Sequence, residues 1–295
     1  MVVEVHHGRA QIAFTARFRK VPLWVRHILL GRAAITLPLL WSVASVLRGK
    51  QTFHASLSDR GGSKMLSFCG SDDSYLIPDP DFMGSFGYEQ FRRNIFSRWE
   101  DWRRRRPVVI WRGGANSIIK PRPKVYGTDF TWNPRLNLCQ KAEQSGHAHM
   151  LDMGITKLPE AFRGDPMTER KKLERFIKPY VPMDAQMEYK YLVDIDGWTN
   201  SWSGLFKKLL MGAVVLKVSS LGGFRQWYYD RLSPFGNFIP VKGDLSDLDY
   251  VISWAETHPK ETEQIAASAR ELATSMTFAD ETSATVRRVA EVVYC

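Results

Sequence analysis

Between Lys190 and Val218 the sequence KYLVDIDGWTNSWSGLFKKLLMGAVVLKV changes its hydrophobic rhythm twice. Tyr191 to Ile195 alternates apolar and polar positions and predicts a short strand that ends at Asp196 and Gly197. A polar turn, Trp198 to Gly204, follows it. Leu205 to Met211 predicts a helix stopped by Gly212, and Ala213 to Val218 predicts a second strand, so the stretch reads as a βαβ unit. The same rhythm predicts strands over Thr52–Leu57, Met65–Phe68, Val108–Trp111 and Phe238–Val241, with a further strand inside 71–82. Helices are expected over Glu89–Trp102, from Asn133-Pro134 onward, over the aromatic run Gly222–Asp230, and over 261–274 and 282–293. Residues 17–50 are apolar, but Arg26, His27 and Arg32 interrupt them and Pro38 opposes a continuous helix. Two short helices are expected there. Strands alternating with helices in both halves predict an α/β fold with mainly parallel sheets.

Composition narrows this picture. At 295 residues, 44% of them hydrophobic, the chain is long enough for two domains with real cores. A net charge of +10 points to an anionic partner: nucleotide-sugar phosphates, an acidic lipid surface or nucleic acid. No recognisable RNA-binding motif is present. Cys69, Cys139 and Cys295 are too far apart for a metal knuckle and odd in number, which favours a reducing, cytoplasmic compartment. The opening MVVEVHHGRAQ lacks the charged-then-apolar order of a secretory signal. The basic, apolar stretch 17–50 reads either as core helices or as shallow docking on an anionic membrane. Arg103 to Arg106 reads as the solvated last turn of a helix. Neither His147 and His149 nor the acidic run Asp72, Asp73, Asp79 and Asp81 has ligand spacing, so no metal is expected.

Three places carry chemistry. The loop from Gly197 through Trp202 leaves a strand and enters a helix, where free backbone N–H groups and a partial positive charge favour an anion. Thr199, Asn200, Ser201 and Ser203 add short donors, and Lys207 and Lys208 add charge, a set suited to phosphate. The plainer reading is a Ser203 cap with two solvated lysines. After the strand at 108–111, Gly113 and Gly114 let backbone approach a ligand closely, and Arg112 can fork onto phosphate oxygens. Asp59 stands just past a strand end in the turn Ser58-Asp59-Arg60-Gly61-Gly62, either as a turn former or as a catalytic carboxylate.

The segments DIDGWTNSWSGLFKKLLMGAVVLKV, FRQWYYDRLSPFGNFIPVKGDLSDL, VVIWRGGANS, SYLIPDPDF and, more loosely, FHASLSDRG occur in the order found in glycosyltransferase family 90. The chain resembles that family over roughly residues 50 to 275. The resemblance implies a GT-B-like α/β fold, two Rossmann-like domains facing across a cleft, with an acceptor-side domain at 1–150 and a UDP-sugar-binding domain at 151–295. It implies a metal-independent, inverting transfer of glucose or xylose from a UDP-sugar, without other cofactor. Asp59 would be the general base, and Arg112, Gly113, Gly197, Thr199 to Ser203 and Lys207 or Lys208 would hold the donor. Relatives often carry Arg where this chain has Leu205, and residues 114–116 depart from their pattern. The expected acceptor is a cell-surface glycan or lipopolysaccharide precursor, reached from the cytoplasm with peripheral contact to the inner face of the membrane. The competing reading is a non-catalytic basic module on anionic lipid or nucleic acid.

Overall fold

The computed structural model describes residues 1–6, 9–71, 73–98, 101–117, 129–158 and 167–294. Asp72 and Cys295, named above, and part of the helix expected over 89–102 lie outside them. The chain forms two compact units, one of Met1–Glu89, Gly223–Asp230 and Met276–Cys295, the other of Gln90–Gly222 and Arg231–Ser275. The division does not fall at residue 150. A strand at Arg106–Gly113 pairs with two strands that follow that point, so residues 90–150 fold with what comes after them.

In the first unit β1 (Val2–His6) pairs antiparallel with β2 (Arg9–Ala13) and with β3 (Gln51–His54), burying Val3, Val5 and Phe53. The opening hairpin has no counterpart among the expected elements, because Val3 and Val5 alternate over too few residues to stand out. Between β2 and β3 runs α1 (Leu23–Val46), a single helix of 24 residues where two short ones were expected. Pro38 removes one backbone bond to Ala34, but both residues are on the exposed side, where the bond can be lost without leaving a buried carbonyl unpaired. The buried face of Thr36, Leu39, Leu40, Val43 and Ala44 keeps an unbroken i, i+3, i+4, i+7 pattern. Arg26 folds back to the Val21 carbonyl (2.9 Å) and does not interrupt the helix.

The strands expected over 65–68 and within 71–82 are short: β4 (Leu66–Ser67) and β5 (Tyr75–Leu76), paired in parallel. They lead to α2 (Pro80–Gly84), whose N-cap is Asp79. Its carboxylate accepts from the Asp81 and Phe82 amides (3.0 and 3.1 Å) and from the Tyr88 hydroxyl (3.3 Å). Phe82 packs among Tyr88, Trp227 and Phe278, the last from the closing helix Phe278–Tyr294. The aromatic run 222–230 is not the helix expected. Gly223 takes φ +64°, Arg225 bridges Gly70 in antiparallel fashion, and one 3-10 turn begins at Tyr229. Buried Phe224, Trp227 and Tyr228 hold that extended course.

The second unit is α/β with a parallel sheet. It comprises α3 (Glu89–Ser97), β6 (Arg106–Gly113), α4 (Pro134–Gln144), β7 (Leu151–Ile155), α5 (Met167–Glu174), β8 (Tyr189–Asp194), α6 (Ser203–Leu210), β9 (Val214–Val218), β10 (Ile239–Val241), α7 (Leu248–Thr257) and α8 (Pro259–Ser275). The five strands lie in the order β10-β9-β8-β6-β7, all parallel. Every residue of β9 is buried, as an apolar run covered on both faces should be. β7, at the sheet edge and containing Asp152 and Gly154, went unpredicted. Winding starts at β6, goes out to β7, then returns past β6 to lay down β8. The strand ends of β6 and β8 therefore flank the point where the direction reverses, which is where open α/β sheets bind ligands.

Of the arginine block, Arg105 is not solvated. It is 2% exposed and donates to the Met211 carbonyl (2.8 Å) and the Gly212 carbonyl (3.1 Å), just past α6. The cation does complement a helix C-terminus, but that of α6 and not of the helix before it.

Asp79 yields a pH prediction. Burial, followed by the repulsion of Asp81, raises its carboxyl to about 6. A carboxyl raised on folding binds a proton more tightly in the folded chain, so its ionisation is a cost present above pH 6. Stability should rise as pH falls from 7 toward 4. Asp79→Asn, which keeps an N-cap acceptor, should flatten that rise and add on the order of 1–3 kcal/mol at pH 7. Urea unfolding at pH 5 and 7 measures both.

Candidate active site

At the reversal point the chain leaves β6 as Gly113-Gly114-Ala115-Asn116 and leaves β8 as Ile195-Asp196-Gly197. Between the two loops stands Arg135, from the first turn of α4. Its position follows from local sequence. Asn133 caps α4 by accepting from the Arg135 and Leu136 amides (3.0 and 3.1 Å), and Pro134 fits the first helical position. The Asn133 amide meanwhile donates to the Ala115 carbonyl at 2.7 Å, so the cap is pinned to the β6 loop.

The guanidinium of Arg135 donates to the carbonyls of Gly114 (3.0 Å), Asp196 (2.9 Å) and Ile195 (3.2 Å) and to the side-chain oxygen of Asn116. It also lies 5.6 Å from the centre of the Trp111 ring. Burial lowers its pKa to about 10 against the pull of Asp194 and Asp196, so it stays charged at neutral pH. Gly197 is the residue this arrangement requires. A Cβ there would fall 2.6 Å from the Asn116 amide nitrogen and 2.8 Å from an Arg135 nitrogen.

Beyond Gly197 the loop tightens. Thr199 and Asn200 are buried, while Trp198 is 48% exposed. Asn200 donates to Asp196 (3.2 Å), and Gly197 donates to the Thr199 carbonyl (2.9 Å). Trp202 is the N-cap of α6, in place of Ser203. Its φ of +38° is unusual for a bulky residue, and its side chain does not cap the helix. The first-turn amides of α6 therefore find no acceptor in the N-cap side chain.

Beneath the loop lies a buried charge cluster. Asp194, fully buried at the end of β8, accepts from the Ser201 hydroxyl and from Lys208 (3.1 Å). Burial alone would raise its pKa, but Lys208, Lys217 and Ser201 bring it below the usual carboxylate value. For Asp196 burial wins, and its pKa is raised. One oxygen of each carboxylate is buried without a hydrogen-bond partner among the described residues.

The residues expected to hold phosphate are thus distributed. Gly113, Gly197, Thr199, Asn200, Ser201, Trp202 and Ser203 share one end of the sheet. Lys208 is ion-paired beneath the loop, and Lys207 places its ammonium 5.5 Å from the Phe91 ring centre. Arg112 braces the sheet edge, donating to the carboxylate and carbonyl of Asp152 (both 2.7 Å) and to the Pro179 carbonyl (3.0 Å). The arginine between the loops is Arg135, and the N-cap pattern Asn133-Pro134-Arg135, some twenty residues after the WRGG segment, was its signal in the sequence. Asp59 lies in the first unit. Its carboxylate is about half exposed and accepts from Arg32 (2.7 Å), which also donates to the Leu57 carbonyl (2.9 Å). Among the described residues no cluster of three or more metal-ligating side chains occurs.

Comparison with known proteins yields one family. The profile for "Glycosyl transferase family 90" matches residues 60–282, starting one residue after Asp59. Human protein O-glucosyltransferase 3 is 27% identical over 205 residues, covering 68% of this chain and 36% of its own length. Uncharacterized protein 179R of Invertebrate iridescent virus 6 is 26% identical over 184 residues, 57% of this chain and 15% of that protein. The chain thus spans well under half the length of these curated relatives. Among solved structures, Anabaena HepE in complex with UDP and glucose aligns over 96% of this chain and 84% of its own, with 10% identity and a TM-score of 0.42.

The crowding at Gly197 is testable. The atoms a methyl would meet are held by hydrogen bonds to the two loops, so Gly197→Ala should cost about 1–3 kcal/mol and Gly197→Val more. Gly146→Ala, where nothing stands within 4 Å, should change stability by less than about 0.5 kcal/mol. Urea unfolding of the three variants gives the comparison.

Proposed function

The chain belongs to glycosyltransferase family 90, and from that premise we propose that it transfers a sugar, glucose or xylose, from a UDP-sugar to a hydroxyl, with inversion and without a metal. The observation that carries this reading is Arg135, a charged guanidinium between two strand-end loops at the reversal point of a parallel sheet, one of which leads on to α6. A diphosphate set against the 197–203 loop meets first-turn amides, the positive end of a helix and the hydroxyls of Thr199 and Ser203. Gly113 and Gly197 admit its approach. Lys207 adds charge at longer range, Lys208 holds Asp194 and with it Ser201, and Arg112 acts by keeping the β6 end in place. Trp198, half exposed beside the loop, offers a flat apolar face for a base or sugar ring.

The donor side of this reading is the second unit and the acceptor side the first, the division of labour of a GT-B-like enzyme. Asp59 takes the proton of the acceptor hydroxyl as its oxygen forms a bond to the anomeric carbon. The bond from that carbon to the phosphate oxygen breaks on the opposite face, and UDP leaves with the electron pair. Charge grows on the diphosphate during that step, where fixed positive groups lower the barrier most. The chain's +10 charge suits an anionic acceptor, such as a lipopolysaccharide precursor on the cytoplasmic side.

The test is UDP release from UDP-glucose, UDP-xylose, UDP-galactose and UDP-N-acetylglucosamine in the presence of EDTA, alongside UDP calorimetry. One donor should be preferred, with no loss on chelation. Asp59→Asn should lower turnover about 10²–10⁴-fold and leave UDP affinity unchanged. Arg135→Ala should weaken UDP binding by roughly 10–100-fold, with Arg135→Lys recovering part, both checked for folding by circular dichroism. Neither binding nor release of UDP by the folded protein would overturn the transferase and leave a basic binding module.

A further inference from the structure

The outer side of α1 is apolar, exposed and used by nothing in the proposed chemistry. One face of the helix packs within the first unit, on α2, β2 and the closing helix Phe278–Tyr294. The other presents Leu23, Trp24, Ile28, Ile35, Leu37 and Trp41, with the two tryptophans 68% and 61% exposed. At about 1.5 Å per residue α1 is ~36 Å long, and the tryptophans stand ~25 Å apart along it. A helix apolar on both sides needs cover on both.

Charge says what the cover is. Exposed Arg19 and Lys20 precede the helix, exposed Arg48 and Lys50 follow it, and His27 is exposed on it. Glu4 is the only acidic residue before Asp59. An apolar strip flanked by cations, with a tryptophan toward each end, matches a bilayer surface in which acyl chains lie below anionic headgroups. A second copy of this chain is a poor match, since the pairing would set cations against cations with no acid between them. Crossing the bilayer is also a poor match, because a spanning helix needs lipid or apolar partners along its whole circumference, and one side of this helix is built into a folded unit.

We infer that α1 is an in-plane anchor that seats the first unit on an anionic membrane, with Trp24 and Trp41 in the interface and Arg19, Lys20, Arg48 and Lys50 on the headgroups. The anchor does not depend on sugar transfer, and its test is independent of activity. Flotation of the full chain is compared on vesicles of phosphatidylcholine alone and of phosphatidylcholine mixed with phosphatidylglycerol. Binding should favour the anionic vesicles at least tenfold and reverse near 1 M salt, where screening shortens to about 3 Å. Trp24→Ser with Trp41→Ser, both surface changes, should lower binding about tenfold while circular dichroism and melting stay unchanged. Arg19→Gln with Lys20→Gln and Lys50→Gln should remove the preference for anionic lipid. Equal binding to both vesicles, retention on the membrane at high salt, or no binding together with a concentration-dependent dimer abolished by the tryptophan changes would each overturn the anchor.

Discussion

The guanidinium of Arg135 is the contact on which the loops at the carboxyl end of the second unit's sheet depend. Two parallel strands that end side by side leave carbonyls in the crevice between their loops, and parallel pairing does not reach that far. Gly114, Ile195 and Asp196 are three such carbonyls, and Arg135 satisfies all of them from a helix that belongs to neither loop. A lysine would keep the charge but not serve all three, because a single ammonium lacks the spread of donors a guanidinium has. The rest of the local sequence supports this placement: Asn133 sets the start of α4, Pro134 fixes its first turn, and Gly197 leaves the space the guanidinium fills.

A second layer of charge sits below. Buried ion pairs add little net stability, since desolvation opposes their attraction. The pair Asp194–Lys208 instead fixes geometry. Its carboxylate holds the Ser201 hydroxyl, and Ser201 closes the turn that feeds α6. A lysine two turns from a loop can thus shape that loop from beneath it. Charge at such a place is used for position.

How much of this was legible before the fold is uneven, for physical reasons. The βαβ unit from Lys190 to Val218 was plain because its strands are buried on both faces and its helix is amphipathic, so periodicity and burial agree. β7 was not, since an edge strand carrying Asp152 and Gly154 lacks the apolar run. Arg112 and Arg135 are equally basic in sequence. Only the strand pairing, which brings Asp152 beside Arg112, and the cap at Asn133, which aims Arg135 inward, give them different work. Arg105 looked solvated because the carbonyls it serves are more than a hundred residues away. In α1, charges that seemed to break the helix bond to backbone or to Asp59. Asp59 was named on the resemblance to the family, since its glycine-rich turn reads equally as a turn former, and its half-exposed carboxylate pairs with Arg32.

The most direct test of the central claim is where UDP slows hydrogen exchange on the full chain. With UDP at saturation, amides in peptides covering 113–117 and 195–205 should exchange more slowly, those of the first turn of α6 most of all, while peptides covering α8 stay unchanged. Protection confined to other segments, or none at a UDP concentration that calorimetry shows to be saturating, would contradict the placement of the donor between the β6 and β8 loops.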